Sequence, residues 1–238
     1  MKTLLLTSAA ALALCVAGSA QAAPGMNAAG ARGTAHPAHH VAPHGMKTLY
    51  DQNIADGDYG FFSQTLSSYP QYDEYLADDF TVPANHTWKV GEVDTTGFYY
   101  IGVGPASSVN VLFWKNKGTL PKGTTPAIEC DDLTPTSGLD TGAFEIKLPK
   151  SCKVSLKGGK KGTTYWLSVQ ANMAGINTSG YWAWEVNDEI AGNQAAGYWY
   201  GGSVSTENPT CNTSFQTIDT CFSSTVDLAF ALQGKDKK

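Results

Sequence analysis

Residues 163–184 read TTYWLSVQANMAGINTSGYWAW, and the fold class follows from how this stretch alternates. Leu167, Val169 and Ala171 fall on one phase, and Trp166, Ser168, Gln170 and Asn172 on the other. Successive side chains of a strand point to opposite faces, so 163–173 reads as a half-buried strand. A Gly-containing loop and an aromatic strand at 181–186 follow. The Leu167 phase belongs to the core; the Trp166, Gln170 and Asn172 phase is the side expected to stay free.

The flanking segments look built to pack against this hairpin. VNVLFW at 109–114 is apolar on both phases, as expected of a strand at a sheet centre. ADDFTV at 77–82 reads as a strand stopped by Pro83. In TWKVGEVDTTGFYY at 87–100, Trp88 and Val90 share a phase that Val93 leaves, which predicts a β-bulge at Gly91. TVDLAFAL at 225–232 closes the fold with Leu228, Phe230 and Leu232 inward. Further short strands are expected near 61–66, 126–130, 143–148, 152–156 and 197–200. Many short strands and no helical run indicate an all-β fold, a two-sheet antiparallel β-sandwich of jelly-roll-like form.

The N-terminus has the form of a signal peptide over 1–22: Lys2, an apolar run from Leu4 to Ala17, and Ala20-Gln21-Ala22 as a cleavage site. No later segment approaches the ~18 apolar residues of a membrane span. Residues 23–46, rich in Ala, His and Pro, show no apolar periodicity and read as a disordered segment. The single sandwich domain is then 47–234, with 235–238 a basic tail. The expected setting is secreted, extracellular or periplasmic. A net charge of −5 argues against generic nucleic-acid binding.

Four cysteines follow the leader: Cys130, Cys152, Cys211 and Cys221. An even count in an exported chain reads as two disulfides. Three pairings are possible, and the sequence-local one, Cys130 with Cys152 and Cys211 with Cys221, is favoured. A four-thiolate zinc site is disfavoured because no C-x2-C pair is present.

Nine ordered motifs carry a resemblance: LYDQ (49–52), SQ (63–64), ADDFTVP (77–83), W-x-V (88–90), VDTTG (93–97), SVNVLFW (108–114), YWLSVQANM (165–173), WAW (182–184) and DLAFALQG (227–234). Together they resemble a bacterial secreted β-sandwich module that occurs alone or appended to larger exported proteins. The resemblance implies a jelly-roll-like fold and an extracellular setting, and brings no catalytic residues. NQAAGYWYGGSVSTENPT at 193–210 stands where that module has a more Gly-rich loop containing Trp-Gln.

The chain lacks G-x-S-x-G and H-E-x-x-H, and His86 is the only histidine within 47–234. With all four cysteines paired, thiol catalysis is closed as well. What remains is a non-catalytic module, binding or adhesive, whose partner would be an extracellular glycan or cell-surface component. Sugar rings stack on indoles, and Tyr181, Trp182, Trp184, Tyr198, Trp199 and Tyr200 crowd one segment. Trp166, Gln170, Asn172 and Trp199 are the candidate ligand residues. Asp78, Asp79 and Asp227 are candidate ligands for a stabilising calcium ion, if their strands are neighbours. The alternative is a glycan hydrolase using carboxylates alone, which needs no sequence motif. A third reading gives His36, His39, His40 and His44 a metal-binding role. Lys147, Lys150, Lys153, Lys157, Lys160 and Lys161 form an opposite-sign patch suited to an acidic polysaccharide or lipid headgroup.

Overall fold

A computed structural model describes residues 31–32, 45–54, 59–175, 179–199 and 209–238, with backbone alone at 31, 32, 199 and 209. The proposed signal peptide and the four clustered histidines lie outside the described residues.

The expected all-β sandwich is what forms. Strand Thr163–Met173 has the bounds read from its alternation and lies at the heart of the largest sheet. On one side it pairs antiparallel with Ser108–Lys117, which pairs in turn with Ile128–Leu133. On the other it meets Glu74–Val82 antiparallel and the short Gln64–Leu66 in parallel. Ala196–Trp199 and Gln216–Thr217 complete that edge.

The opposing layer holds two five-stranded sheets that share continuous chain. Strand Thr87–Thr95 runs on through Thr96 into Gly97–Tyr100, and Asp227–Leu228 through Ala229 into Phe230–Lys237. At the crossing, Thr96 N donates to Ala229 O, Ala229 N to Glu185 O and Glu185 N to Thr96 O, at 3.3, 2.9 and 3.0 Å. Those bonds join the aromatic strand Tyr181–Asn187 to both sheets. The expected bulge is present: Gln233 faces Glu92 and Gly234 faces Val90, leaving Gly91 unmatched.

Phe80 marks the middle of the main core, its ring 6.1 Å from Trp88, 6.3 Å from Phe113 and 6.3 Å from Phe230. Trp114, Trp166, Trp182 and Trp184 are all buried. Burying a large aromatic side chain is worth about 4–6 kcal/mol of transfer free energy. Each indole N–H also finds an acceptor: Ser168 Oγ, Asn116 Oδ1, Gly142 O and Ala229 O respectively, all at 2.8–2.9 Å.

The disulfides are Cys130–Cys152 and Cys211–Cys221, the favoured sequence-local pairing. Among the described residues no helix is long and apolar enough to cross a membrane.

Three boundary expectations need correction. Residues 235–237 are not a tail, because strand Phe230–Lys237 pairs there with Thr87–Lys89, and Asp236 is held by His86 and Lys47. The 23–46 segment is not wholly without structure, since Ala31–Arg32 pairs with Tyr59 and Gly60. One short helix, Ile218–Phe222, also forms; Thr217 caps it by accepting from Thr220 N.

Candidate ligand-binding face and the buried carboxylates

The outer face of the large sheet divides into two halves. The first is a second, smaller core of Ala77, Leu112, Trp114, Trp166, Ala196, Tyr198 and Phe215. Phe215 reaches over Trp114 at 5.0 Å, edge to face, from the segment that Cys211–Cys221 closes. This covering is why Trp166, expected to be exposed, has no accessible surface. Its phase is polar further along the strand, but a flap from distant sequence turns this end into core. Gln170 is buried too, donating from Nε2 to Glu74 O at 2.9 Å and hydrogen-bonded to the Tyr75 hydroxyl. It ties neighbouring strands together and is not free to hold a ligand. Tyr181, Trp182, Trp184 and Tyr198 are likewise buried and form no exposed aromatic platform. Trp199 pairs through its backbone with Glu74, and its side chain lies outside the described residues.

The second half stays open to solvent and is centred on Asn172. In register, Asn172 faces Ser108 and Gln170 faces Asn110, so the three polar side chains Asn172, Ser108 and Asn110 meet across one strand pair. Asn110 and Asn172 form a reciprocal amide pair, with both N–H···O contacts at 3.0 Å. Asn172 Nδ2 also donates to Ser108 Oγ at 2.7 Å and Asp132 Oδ1 at 3.2 Å, while Thr65 Oγ1 donates to Asn172 Oδ1 at 2.7 Å. A register shift between Cys130 and Leu133 accompanies a left-handed Asp132 (φ 53°), whose backbone N–H donates to Asn110 Oδ1. The network is rigid because its acceptors are shared, yet Asn110, Asn172 and Thr65 remain half-exposed. Glu129, Asp131 and Asp132 form an exposed acidic rim. Burial and then Asp131 push the Glu129 carboxyl up; burial and then Asp132 do the same for Asp131. Half-exposed Tyr75 stacks on Tyr198 at 5.7 Å and borders the opposite side.

The aspartates predicted to hold calcium are brought near one another but not into a cation site. Asp78 and Asp79 are adjacent on one strand, so their carboxylates leave on opposite faces. Asp78 shares the phase of Leu76 and Phe80 and points into the core, where Gln52 Nε2 (2.7 Å), Leu228 N (2.6 Å) and Asp79 N (2.7 Å) donate to it. Tyr50 Oη donates to Gln52 Oε1 and fixes that amide. Asp79 takes the backbone and side-chain N–H groups of Asn193 at 2.8 and 2.9 Å. Asp227 Oδ2 accepts from Ala191 N at 2.6 Å, and its buried Oδ1 has no partner. Oxygens already engaged by N–H donors are not offered to calcium, which takes 6–8 of them. Among the described residues no group of three or more His, Cys, Asp or Glu is placed to hold a metal ion.

Burial disfavours the charged form of these carboxyls. Burial raises Asp78 well above the ordinary carboxylate range, with the nearby Asp227 adding to the effect. Burial, reinforced by Asp79, pushes Asp227 up to about 7. Burial and the surrounding aspartates likewise raise the Tyr50 hydroxyl. His86 Nδ1 donates to the Asp236 carboxylate at 2.8 Å, and no Ser, Thr or Cys side chain hydrogen-bonds it among the described residues.

The sequence reading missed Asn110, Ser108, Thr65 and Asp132. A signal existed for Ser108 and Asn110, which are polar positions on one phase at the start of a strand whose next four residues, 111–114, are apolar. No protein-family model, curated protein or solved structure matches the chain, so the site is read from its own geometry.

Proposed function

We propose that this chain is an exported, non-catalytic binding module whose ligand is a glycan, taken on the face centred on Asn110 and Asn172. The observation that carries the reading is the half-exposed amide pair, fixed by Ser108, Thr65 and Asp132 and bordered by Tyr75. Amide groups held in one orientation match the paired donors and acceptors of sugar hydroxyls, and a tyrosine ring beside them offers a stacking surface. Asn110 Nδ2 has one N–H beyond the bond to Asn172, available for a ligand oxygen. Export accords with the leader-like N-terminus and with two disulfides, which persist in oxidising compartments. A non-catalytic role accords with the one histidine of residues 47–234 being tied to Asp236 and with Cys130, Cys152, Cys211 and Cys221 being paired.

The test is a glycan array probed with the mature chain and with Asn110→Ala, Asn172→Ala and Tyr75→Ala. Binding to a defined glycan should fall about tenfold or more in each variant, one lost buried polar contact or stacking surface being worth ~1–2 kcal/mol. Binding that survives all three substitutions refutes this face as the site.

A further inference from the structure

A second groove lies at another part of the molecule, where the large sheet ends beside the 158–162 turn. It has a volume of about 420 Å³ and is lined by Lys115, Asn116, Thr163, Thr164 and Tyr165. Lys115 and Tyr165 face each other in register across the two central strands. The Tyr165 ring is fixed on both sides: it stacks on Phe80 at 6.2 Å, and its hydroxyl donates to Lys157 O at 3.1 Å. Thr164 Oγ1 lies 3.0 Å from Thr81 Oγ1, leaving a hydroxyl-lined wall.

The turn leading into Thr163 carries Lys160 and Lys161, both exposed. Its backbone is held tightly: Gly158 N donates to His86 O at 2.9 Å, and Asn85 N to Gly159 O at 2.6 Å. A Cβ on Gly158 would lie 1.8 Å from Pro83 O, so only glycine permits this approach. The lysines are therefore presented on a fixed turn. Among the described residues the ion pairs are Lys47–Asp236 and His86–Asp236, so Lys115, Lys157, Lys160 and Lys161 have no carboxylate partner. A local positive patch on a chain of net charge −5 attracts a ligand of opposite charge and orients the rest of the molecule away from it.

We infer that this groove is a binding site for an acidic polysaccharide, one bearing carboxylate or sulfate groups on its sugar rings. Threonine hydroxyls meet sugar hydroxyls, Tyr165 offers an apolar surface to a sugar ring, and Lys115 in the groove, with Lys160 and Lys161 on the adjoining turn, meets the anions. A lipid surface suits it less well. The exposed large apolar side chains Ile54, Tyr69, Ile101, Val103 and Ile190 are not among the groove residues, and none of the groove's own side chains is an aliphatic wedge for a bilayer. The inference stands on the groove and its unpaired lysines, independent of the Asn110–Asn172 face.

The test measures binding of the mature chain to polygalacturonate and dextran sulfate, with neutral dextran and vesicles of phosphatidylcholine and phosphatidylserine alongside. Expected is binding to the two acidic polymers but not to dextran, weakened as salt shortens the Debye length. The triple variant Lys115→Ala/Lys160→Ala/Lys161→Ala, all exposed positions, should lose about tenfold or more. The variant Lys150→Ala/Lys153→Ala, outside the groove, should stay within about twofold. No binding to either polymer overturns the inference. So does an equal loss in both lysine variants, which means diffuse attraction, or vesicle binding as tight as polymer binding. The triple lysine variant is also applied to the glycan array, where hits that depend on Asn110 and Tyr75 should persist, so failure here and failure of the Asn110–Asn172 face are read separately.

Discussion

Replacing Asp227 by Asn removes a buried carboxyl whose second oxygen has no partner and whose neighbours are the carboxyls of Asp78 and Asp79 and the Tyr50 hydroxyl. In the folded protein this group titrates at about 7, against an ordinary 3.8. The folded state therefore keeps a proton that the unfolded chain has released. Its contribution to stability is complete below pH ~4 and is lost as pH rises through about 7. That difference is worth at most about 4 kcal/mol at 1.36 kcal/mol per pKa unit. Relaxation of the folded state around the ionised group reduces the effect to about 2 kcal/mol. For a domain of this size that corresponds to roughly 4–8 °C in Tm. The assay is calorimetric Tm from pH 4 to pH 8.5 for the native sequence and Asp227→Asn. Asp78 also titrates high, partly because of Asp227, so the substitution removes some of its pH dependence too. The native protein should lose stability across this range, and the variant should lose about 4–8 °C less. Parallel Tm profiles for the two proteins would refute the reasoning.

Two further outcomes follow from covered groups. Cys211→Ser/Cys221→Ser opens a bridge of sequence separation 10, which should cost about 3 kcal/mol and expose Trp114 and Trp166. Tryptophan emission should shift to the red below the global transition; an unchanged urea midpoint and spectrum would mean the flap does not depend on the bridge. Trp166→Ala should destabilise by about 3–5 kcal/mol in urea unfolding, because it empties a filled core and orphans Asn116 Oδ1. A cost within ~0.5 kcal/mol would fit an exposed indole and contradict its burial.

Much of the fold was legible because strands write their periodicity locally. The alternation of 163–173 located its strand, the phase slip at Gly91 located a bulge, and the doubly apolar 109–114 segment located a sheet centre. Local spacing likewise favoured the disulfide pairing that forms. The candidate site was only partly legible. Asn172 was singled out, but its partners lie 40 to 107 residues away in the chain, beyond the reach of any window. Trp166 and Gln170 share its phase and were assigned to the same free face, yet Phe215 covers the first and Glu74 engages the second.

The sequence by itself determined the main strands, their inward phases, the bulge and the doubly bridged character, because each is encoded in neighbouring residues. Which polar face stays open was decided only by tertiary structure. A strand's polar phase says that a side can face water, not that nothing will cover it. The segment that closes over Trp114 and Trp166 is held by a disulfide some fifty residues further along the chain than Trp166. The same holds for the aspartates. Their proximity required distant strands to meet, and the N–H donors and burial that each one meets there, not its place in the sequence, set its role and raise its carboxyl.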